Sequence, residues 1–243
     1  VLLLCLDTSA AASVAVVDTT PQAPRVLARW ETADTRSHAE VLTPAVETTL
    51  NQAGIAAGEL DGILVGTGPG PFTGLRAGLV TARTLGFVWD LELFGMCSLE
   101  AIAHDVASLP EPVRPSEFAV ATDARRREVY WATYTVADGE DAGPRALASG
   151  SPRVGAASEL PDVPVYGRGA GLYPELLAHP VLQAVPGAHD TAPPVEWQPH
   201  AASLGLAAAA ALAADLELSD DTSPLYLRES DAKVPGPRKK ATA

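Results

Sequence analysis

Between Gly66 and Gly78 the chain reads Gly-Thr-Gly-Pro-Gly-Pro-Phe-Thr-Gly-Leu-Arg-Ala-Gly, and this segment restricts the fold more than any other. Four glycines and two prolines fall between Gly66 and Gly74, after the apolar run Ile63-Leu64-Val65 and before an apolar-periodic stretch. That order reads as strand, stiff turn and helix. Such a loop holds the backbone on a fixed path and brings main-chain N–H groups close to whatever lies at the helix N-terminus. A purely structural turn that packs the strand on the helix would use the same residues. The spacing is neither G-x-G-x-x-G nor a P-loop with its Lys-Ser/Thr, so a dinucleotide fold or a P-loop NTPase is not indicated.

At 243 residues the chain can form one large domain or two small ones, and its net charge of −13 repels a phosphate backbone. Any basic surface is local, the candidates being Arg125-Arg126-Arg127 and the tail from Lys233 to Lys240. The apolar run 1–6 lacks a basic flank and stops at Asp7, so it does not read as a signal peptide. The Ala-rich stretch 201–214 is too short to span a bilayer. Cys5 and Cys97 lie in apolar runs, where reduced, buried thiols are expected, and two isolated cysteines make no disulfide framework. The expectation is a cytoplasmic protein without membrane association.

Residues 2–7, 13–18 and 25–32 read as three strands of an antiparallel meander. Ser37-His38-Ala39-Glu40 fits a capping box for a helix to about Ala53, which Pro44 should kink or restart at Thr43. A strand at 63–65, a helix at 73–88, a strand at 91–96 and a helix from Ser98 to Ala107 follow. Pro110, Pro112 and Pro115 then separate two halves. The second half opens with Phe118-Ala-Val-Ala-Thr-Asp123, a short turn, and Glu128-Val-Tyr-Trp-Ala-Thr-Tyr134, echoing residues 2–7 and 13–17. Strands at 145–154 and 163–166, a helix at 170–178, a loop-rich stretch at 180–199 and a helix at 200–216 complete it.

A strand–Asp-turn–strand opening to each half marks the actin-like ATPase architecture; two unrelated hairpins are the competing explanation. The expected fold class is α/β, an actin-like ATPase fold of two duplicated α/β subdomains. Residues 1–108 would form the N-terminal, partner-binding subdomain and 109–228 a divergent C-terminal one, with 229–243 a disordered tail.

Leu6-Asp7-Thr8-Ser9, Ser37-His38-Ala39-Glu40, the long Gly/Pro loop through Arg76 and Gly78, and Asp123-Ala-Arg125-Arg126-Arg127-Glu128-Val-Tyr130 together resemble the TsaB (YeaZ) family. Pro224-Leu-Tyr-Leu-Arg228 adds to the likeness, which spans nearly the whole chain. The resemblance implies a non-catalytic paralogue of TsaD, within the machinery that places threonylcarbamoyladenosine beside the anticodon of tRNAs. It implies TsaD as heterodimer partner, TsaE as a third component, a homodimer when TsaD is absent, and tRNA reached only through the complex.

TsaD-like relatives bind metal through His-x-x-x-His, and the matching positions fall near Ser98 and Ile102, neither an imidazole. No metal site and no catalytic residue are therefore expected, and the older glycoprotease-like label gains little support. Asp7, Thr8 and Ser9, with Asp123 in the second hairpin, could contact nucleotide. Equally, Asp7 could satisfy backbone N–H groups in a turn. The second hairpin lacks glycines and carries Arg125-Arg126-Arg127, either a solvated turn or a docking point for TsaE or tRNA. ATP and magnesium are expected, if anywhere, at an interface of the complex.

The resemblance places the TsaD contact on the two helices at 37–53 and 73–88. Leu42, Val46, Leu50, Leu75, Arg76, Gly78, Leu79 and Ala82 are the candidate contact residues. The same stripes could equally be internal core. The discriminating feature is a second apolar face, supplied by Ala77, Val80, Thr84 and Val88. The enzyme alternative is an actin-like small-molecule kinase, which would need glycine-rich phosphate loops in both halves.

Overall fold

The computed structural model describes residues 1–21, 23–32, 38–139, 143–185 and 192–228. The chain opens with β1 (Leu2–Asp7), β2 (Ser13–Asp18) and β3 (Arg25–Glu31), followed by α1 (His38–Ala53), β4 (Gly62–Gly66), α2 (Phe72–Trp89), β5 (Glu92–Met96) and α3 (Leu99–Ala107). These strands make one sheet in the order β3-β2-β1-β4-β5. β2 runs antiparallel to both β1 and β3, whereas β4 and β5 are parallel to β1. β1 is a continuous apolar run because helices cover both faces of this sheet. Leu4, Leu6, Val14, Val16, Ile63 and Val65 pack under α1 and α2, while Leu3, Cys5, Ala15, Val17 and Leu64 face the other way.

The second half contains β6 (Glu117–Asp123), β7 (Glu128–Gly139), β8 (Gly143–Ala148), β9 (Arg153–Ala156), β10 (Pro164–Tyr166), α4 (Arg168–Leu172), β11 (His179–Pro180) and α5 (Ala201–Ala213). Its sheet runs β8-β7-β6-β10-β11, with β9 also on β7. Strand directions repeat those of the first sheet: β7 is antiparallel to β6 and β8, and β10 is parallel to β6 and β11. One five-strand topology thus occurs twice in a single chain. This is the duplicated α/β architecture of the actin-like ATPase fold.

The helices that follow each sheet cross over. α5 lies on one face of the first sheet, chiefly over β2 and β1, through Ala201, Leu204 and Ala208. α3 covers the second sheet, where Leu99, Ile102 and Val106 meet Phe118, Val120 and Tyr134. α3 and α5 also pack on one another between the sheets.

The two halves differ in their remaining helices. α1 and α2 have 16 and 18 residues, whereas α4 has 5 and the place of α1 holds only a 3₁₀ turn, Ala157–Glu159. Small residues (Ala119, Ala121, Ala157, Ala170) line the thin layer that results.

Several local expectations change. α1 runs through Pro44 without a second start, because Pro44 sits on the exposed side, where the carbonyl its ring leaves unbonded can meet water. Ser37 of the expected capping box lies outside the described residues, as do 229–243. The strand expected at 145–154 is two strands, parted by Ser149-Gly150-Ser151-Pro152, which pair with different stretches of the long β7. The helix expected at 170–178 begins at Arg168 and ends at Leu172, Pro174 then opening a 3₁₀ turn.

Candidate functional site

The first hairpin ends β1 at Asp7, whose Oδ1 accepts the Ser9 N–H at 2.8 Å and the Ser9 hydroxyl at 2.7 Å. Thr8 Oγ1 donates to Gly74 O at 2.8 Å, tying the hairpin to the Gly/Pro loop. Asp7 and Thr8 are fully buried, and Ser9 is 6% exposed. Asp7 Oδ2 lies beside the Ser98 hydroxyl, buried and without a well-formed hydrogen bond; Ser98 Oγ accepts the Gly68 N–H at 3.0 Å.

Glycine is required where the loop closes on this hairpin. A methyl group at Gly66 would overlap Asp7 Oδ2 and stand 2.6 Å from Ser98 Oγ, and one at Gly78 would overlap Thr8 Oγ1. Apart from Asp7 Oδ2, the polar side-chain groups of Asp7, Thr8 and Ser9 are thus turned into the fold and engaged by the chain itself. Asp123 is engaged too: Oδ1 accepts the Arg125 N–H at 2.7 Å, and Oδ2 pairs with the Arg125 guanidinium at 3.1 Å.

Burial holds the Asp7 carboxyl above the ordinary aspartate value of 3.8, against the opposing pull of Ser98, Ser9 and the charge of His200. A carboxyl raised in the folded state binds its proton more tightly there than in the unfolded chain. Its contribution favours folding in acid and is lost as pH rises from the ordinary range through the folded pKa. Asp7→Asn keeps an acceptor for Ser9 and removes the charge. The variant is expected to gain in melting temperature over wild type at neutral pH, with the margin shrinking toward pH ~4. Thermal melts across that range check this, and a margin that widens on acidification would contradict it.

The second hairpin is built differently. Arg125, Arg126 and Arg127 follow one another with φ of 62°, 55° and 65°, and all three are exposed. The segment 219–228 passes beside them as a strap. Its Ser219 bridges to β5 at Gly95, Thr222 accepts from Arg83, and the Leu225 N–H donates to Thr67 O at 2.8 Å. Arg228 closes it, donating to Ala124 O at 2.9 Å and pairing with Glu128.

The side chains expected to meet a partner are mostly turned inward. Leu42, Val46, Leu50, Leu75, Gly78, Leu79 and Ala82 are all buried, most of them against the first sheet, because an apolar stripe packs first on its own sheet. Arg76 is exposed but bends toward the strap, its guanidinium 3.8 Å from the centre of the Phe72 ring and its Nε 3.3 Å from Tyr226 Oη. What α2 offers outward is Val80, 60% exposed, Phe87, 89%, and Val88, 65%. At about 100° per residue, Val80, Thr84, Ala77 and Val88 share one flank, and Phe72 and Arg76 run on into Val80 at four-residue spacing.

Ser98 and Ile102 are fully buried, and among the described residues no group of three His, Cys, Asp or Glu is placed to hold a metal ion. His104 has the Ser108 hydroxyl 3.5 Å from Nε2. Among the described residues no helix is long and apolar enough to cross a membrane. The strap, which sequence reasoning did not single out as a structural element, is signalled only by Pro224-Leu-Tyr-Leu-Arg228.

The family model described as TsaD, tRNA N6-adenosine threonylcarbamoyltransferase, matches residues 26–235. An uncharacterized protein of Mycobacterium tuberculosis is 40% identical over 149 residues, covering 57% of this chain and 67% of that protein. The tRNA threonylcarbamoyladenosine biosynthesis protein TsaB of Bacillus subtilis is 32% identical over 114 residues, 47% of this chain and 48% of its own length. YeaZ from Pseudomonas aeruginosa superimposes with a TM-score of 0.70 at 30% identity, over 93% of this chain and 99% of that one.

Proposed function

Since this chain belongs to the TsaB (YeaZ) family, a branch of the TsaD family, we propose that it is the non-catalytic, activating partner of TsaD in forming threonylcarbamoyladenosine on tRNA. The observation that carries this reading is the outward flank of α2. Val80 and Val88 stand in water on a helix whose opposite face already fills the core. Exposed aliphatic side chains aligned along one helix suit packing against a helix of another subunit. The counterpart helix α4 has only 5 residues, so this surface exists in one half alone. With Ser98 and Ile102 at the positions where TsaD-like relatives carry metal-binding histidines, the chemistry falls to the partner.

TsaE, ATP and magnesium are assigned to the joint surface rather than to this chain, and the exposed flank would serve a homodimer when TsaD is absent. A small-molecule kinase would need open phosphate loops, whereas Asp7 and Thr8 are sealed beneath the Gly/Pro loop.

Calorimetric titration of the chain with TsaD of the same organism tests the proposal, with magnesium-ATP alone as control. The wild type should pair tightly, and Val80→Arg should weaken pairing about thirtyfold with unchanged circular dichroism. Full pairing by a folded Val80→Arg chain would remove the interface from α2. Strong ATP binding with no TsaD association would favour the kinase.

A further inference from the structure

The Ala-rich helix α5 has a side that the first sheet does not use. Ala201, Leu204 and Ala208 face that sheet, whereas Ala207, Ala210 and Ala211 lie on another flank and stay half-buried. Methyl groups are short, and a cavity of about 270 Å³ remains between α5, α3 and β8. β8 is an edge strand of the second sheet, so no further strand closes that cavity.

The walls differ in chemistry. α5 supplies methyl groups, with the exposed Leu147 and Leu216 beside them. Glu100 of α3 and Arg145 of β8 line the same space, and both are half-buried. Among the described residues neither side chain makes a hydrogen bond or an ion pair, with each other or with a third group. Their charges still sense one another: burial holds the Glu100 carboxyl above its ordinary value of 4.5, and Arg145 works against that rise. His104 stands one turn after Glu100 and adds a ring nitrogen to the polar wall, its Nε2 3.5 Å from the Ser108 hydroxyl. A charge drawn partly out of water without a partner is costly and favours a ligand of opposite sign. Two such charges of opposite sign on different walls call for a molecule that carries both.

We propose that this cavity binds a small zwitterionic α-amino acid with an aliphatic side chain. The ammonium group donates to Glu100, the carboxylate accepts from the Arg145 fork, and the side chain lies on the alanine wall. The volume suits such a molecule, falling just below the range of about 300–1,000 Å³ that holds drug-sized ligands. A phosphate fits worse because Glu100 repels it, and a simple amine leaves Arg145 unpaired. α5 and α2 cover opposite faces of the first sheet, so the site is separate from the surface proposed to meet TsaD.

The test is calorimetric titration of the full chain with L-valine, beside isobutylamine and isovalerate, which each lack one of its charges. Valine is expected to bind saturably with a Kd below about 1 mM, and each analogue about tenfold more weakly or worse. Glu100→Gln keeps the side-chain volume and removes the charge, so valine affinity should fall about tenfold or more, and Arg145→Met should do the same. Ala210→Leu fills the cavity from a half-buried helix position with another good helix former, so the fold should survive and binding should vanish. Undiminished binding by a folded Ala210→Leu chain, or no saturable binding by wild type, overturns the proposal. Equal affinity for isobutylamine also overturns it by marking a plain cation site, and equal affinity for isovalerate by marking a plain anion site. TsaD is absent from this measurement, so its outcome is separate from that of the pairing titration.

Discussion

Gly66→Ala is expected to cost about 4 kcal/mol, combining overpacking with loss of buried hydrogen bonds. For a chain of this size that is a fall of roughly 10 °C in melting temperature. The added methyl would occupy the position of Asp7 Oδ2, and the carboxyl cannot swing aside cheaply. Its other oxygen holds the N–H and hydroxyl of Ser9, and the surroundings contain no water-facing direction into which a charge could move. Asp7→Ala in the same chain should return about 2 kcal/mol, since neighbours that collide are strongly coupled. Differential scanning calorimetry of the two single variants and the double variant measures that coupling. A melting temperature within about 2 °C of wild type for Gly66→Ala would show that Asp7 has room to move.

Gly95→Ala should act locally and just as strongly. A methyl at Gly95 would overlap the carbonyl of Asp221 and come within 3.0 Å of Thr67 Cγ2, so the strap must lift from β5. The hydrogen bonds lost are Gly95 N–H to Ser219 O at 2.8 Å and, as the strap peels away, Leu225 N–H to Thr67 O at 2.8 Å. Hydrogen exchange at Leu225 is expected to accelerate about a hundredfold while amides in β1 and α3 keep their protection. If all amides accelerate together, the strap is part of the cooperative core rather than a separately held segment.

Much of this arrangement was legible in the residues. The Gly/Pro loop announced a strand, a stiff turn and a helix because those residues have few other uses at such density. The echo of residues 2–7 in 118–123 announced the duplicated topology, since an apolar strand ending in Asp at a hairpin is a compound signal. Periodicity also found the stripe of Leu42, Val46 and Leu50, but a period identifies a face without saying what covers it. The chain's own sheet took that face, and outward exposure passed to Val80 and Val88.

Shorter elements left less to read. α4, at 5 residues, and β10, at 3, are too short to repeat a period, and Pro174 breaks the pattern where a longer helix was expected. The strap is fixed largely through backbone carbonyls and glycine, which impose no side-chain rhythm. Nor does any rule of composition foretell three arginines in left-handed backbone, a conformation that neighbours impose and propensity opposes.

The crossing of α3 and α5 sets the order in which the molecule can be completed during synthesis. One face of the first sheet, with Leu3, Cys5 and Val17, is covered by Ala201, Leu204 and Ala208. Those strands leave the ribosome long before their cover does, because residues 19–200 are made between them. A chain made from its N-terminus at about 5–20 residues per second therefore carries an uncovered apolar sheet for roughly 10–40 s. The covering of α3 likewise waits for the second sheet. Neither half can finish first, and an apolar sheet face stays open until α5 is made.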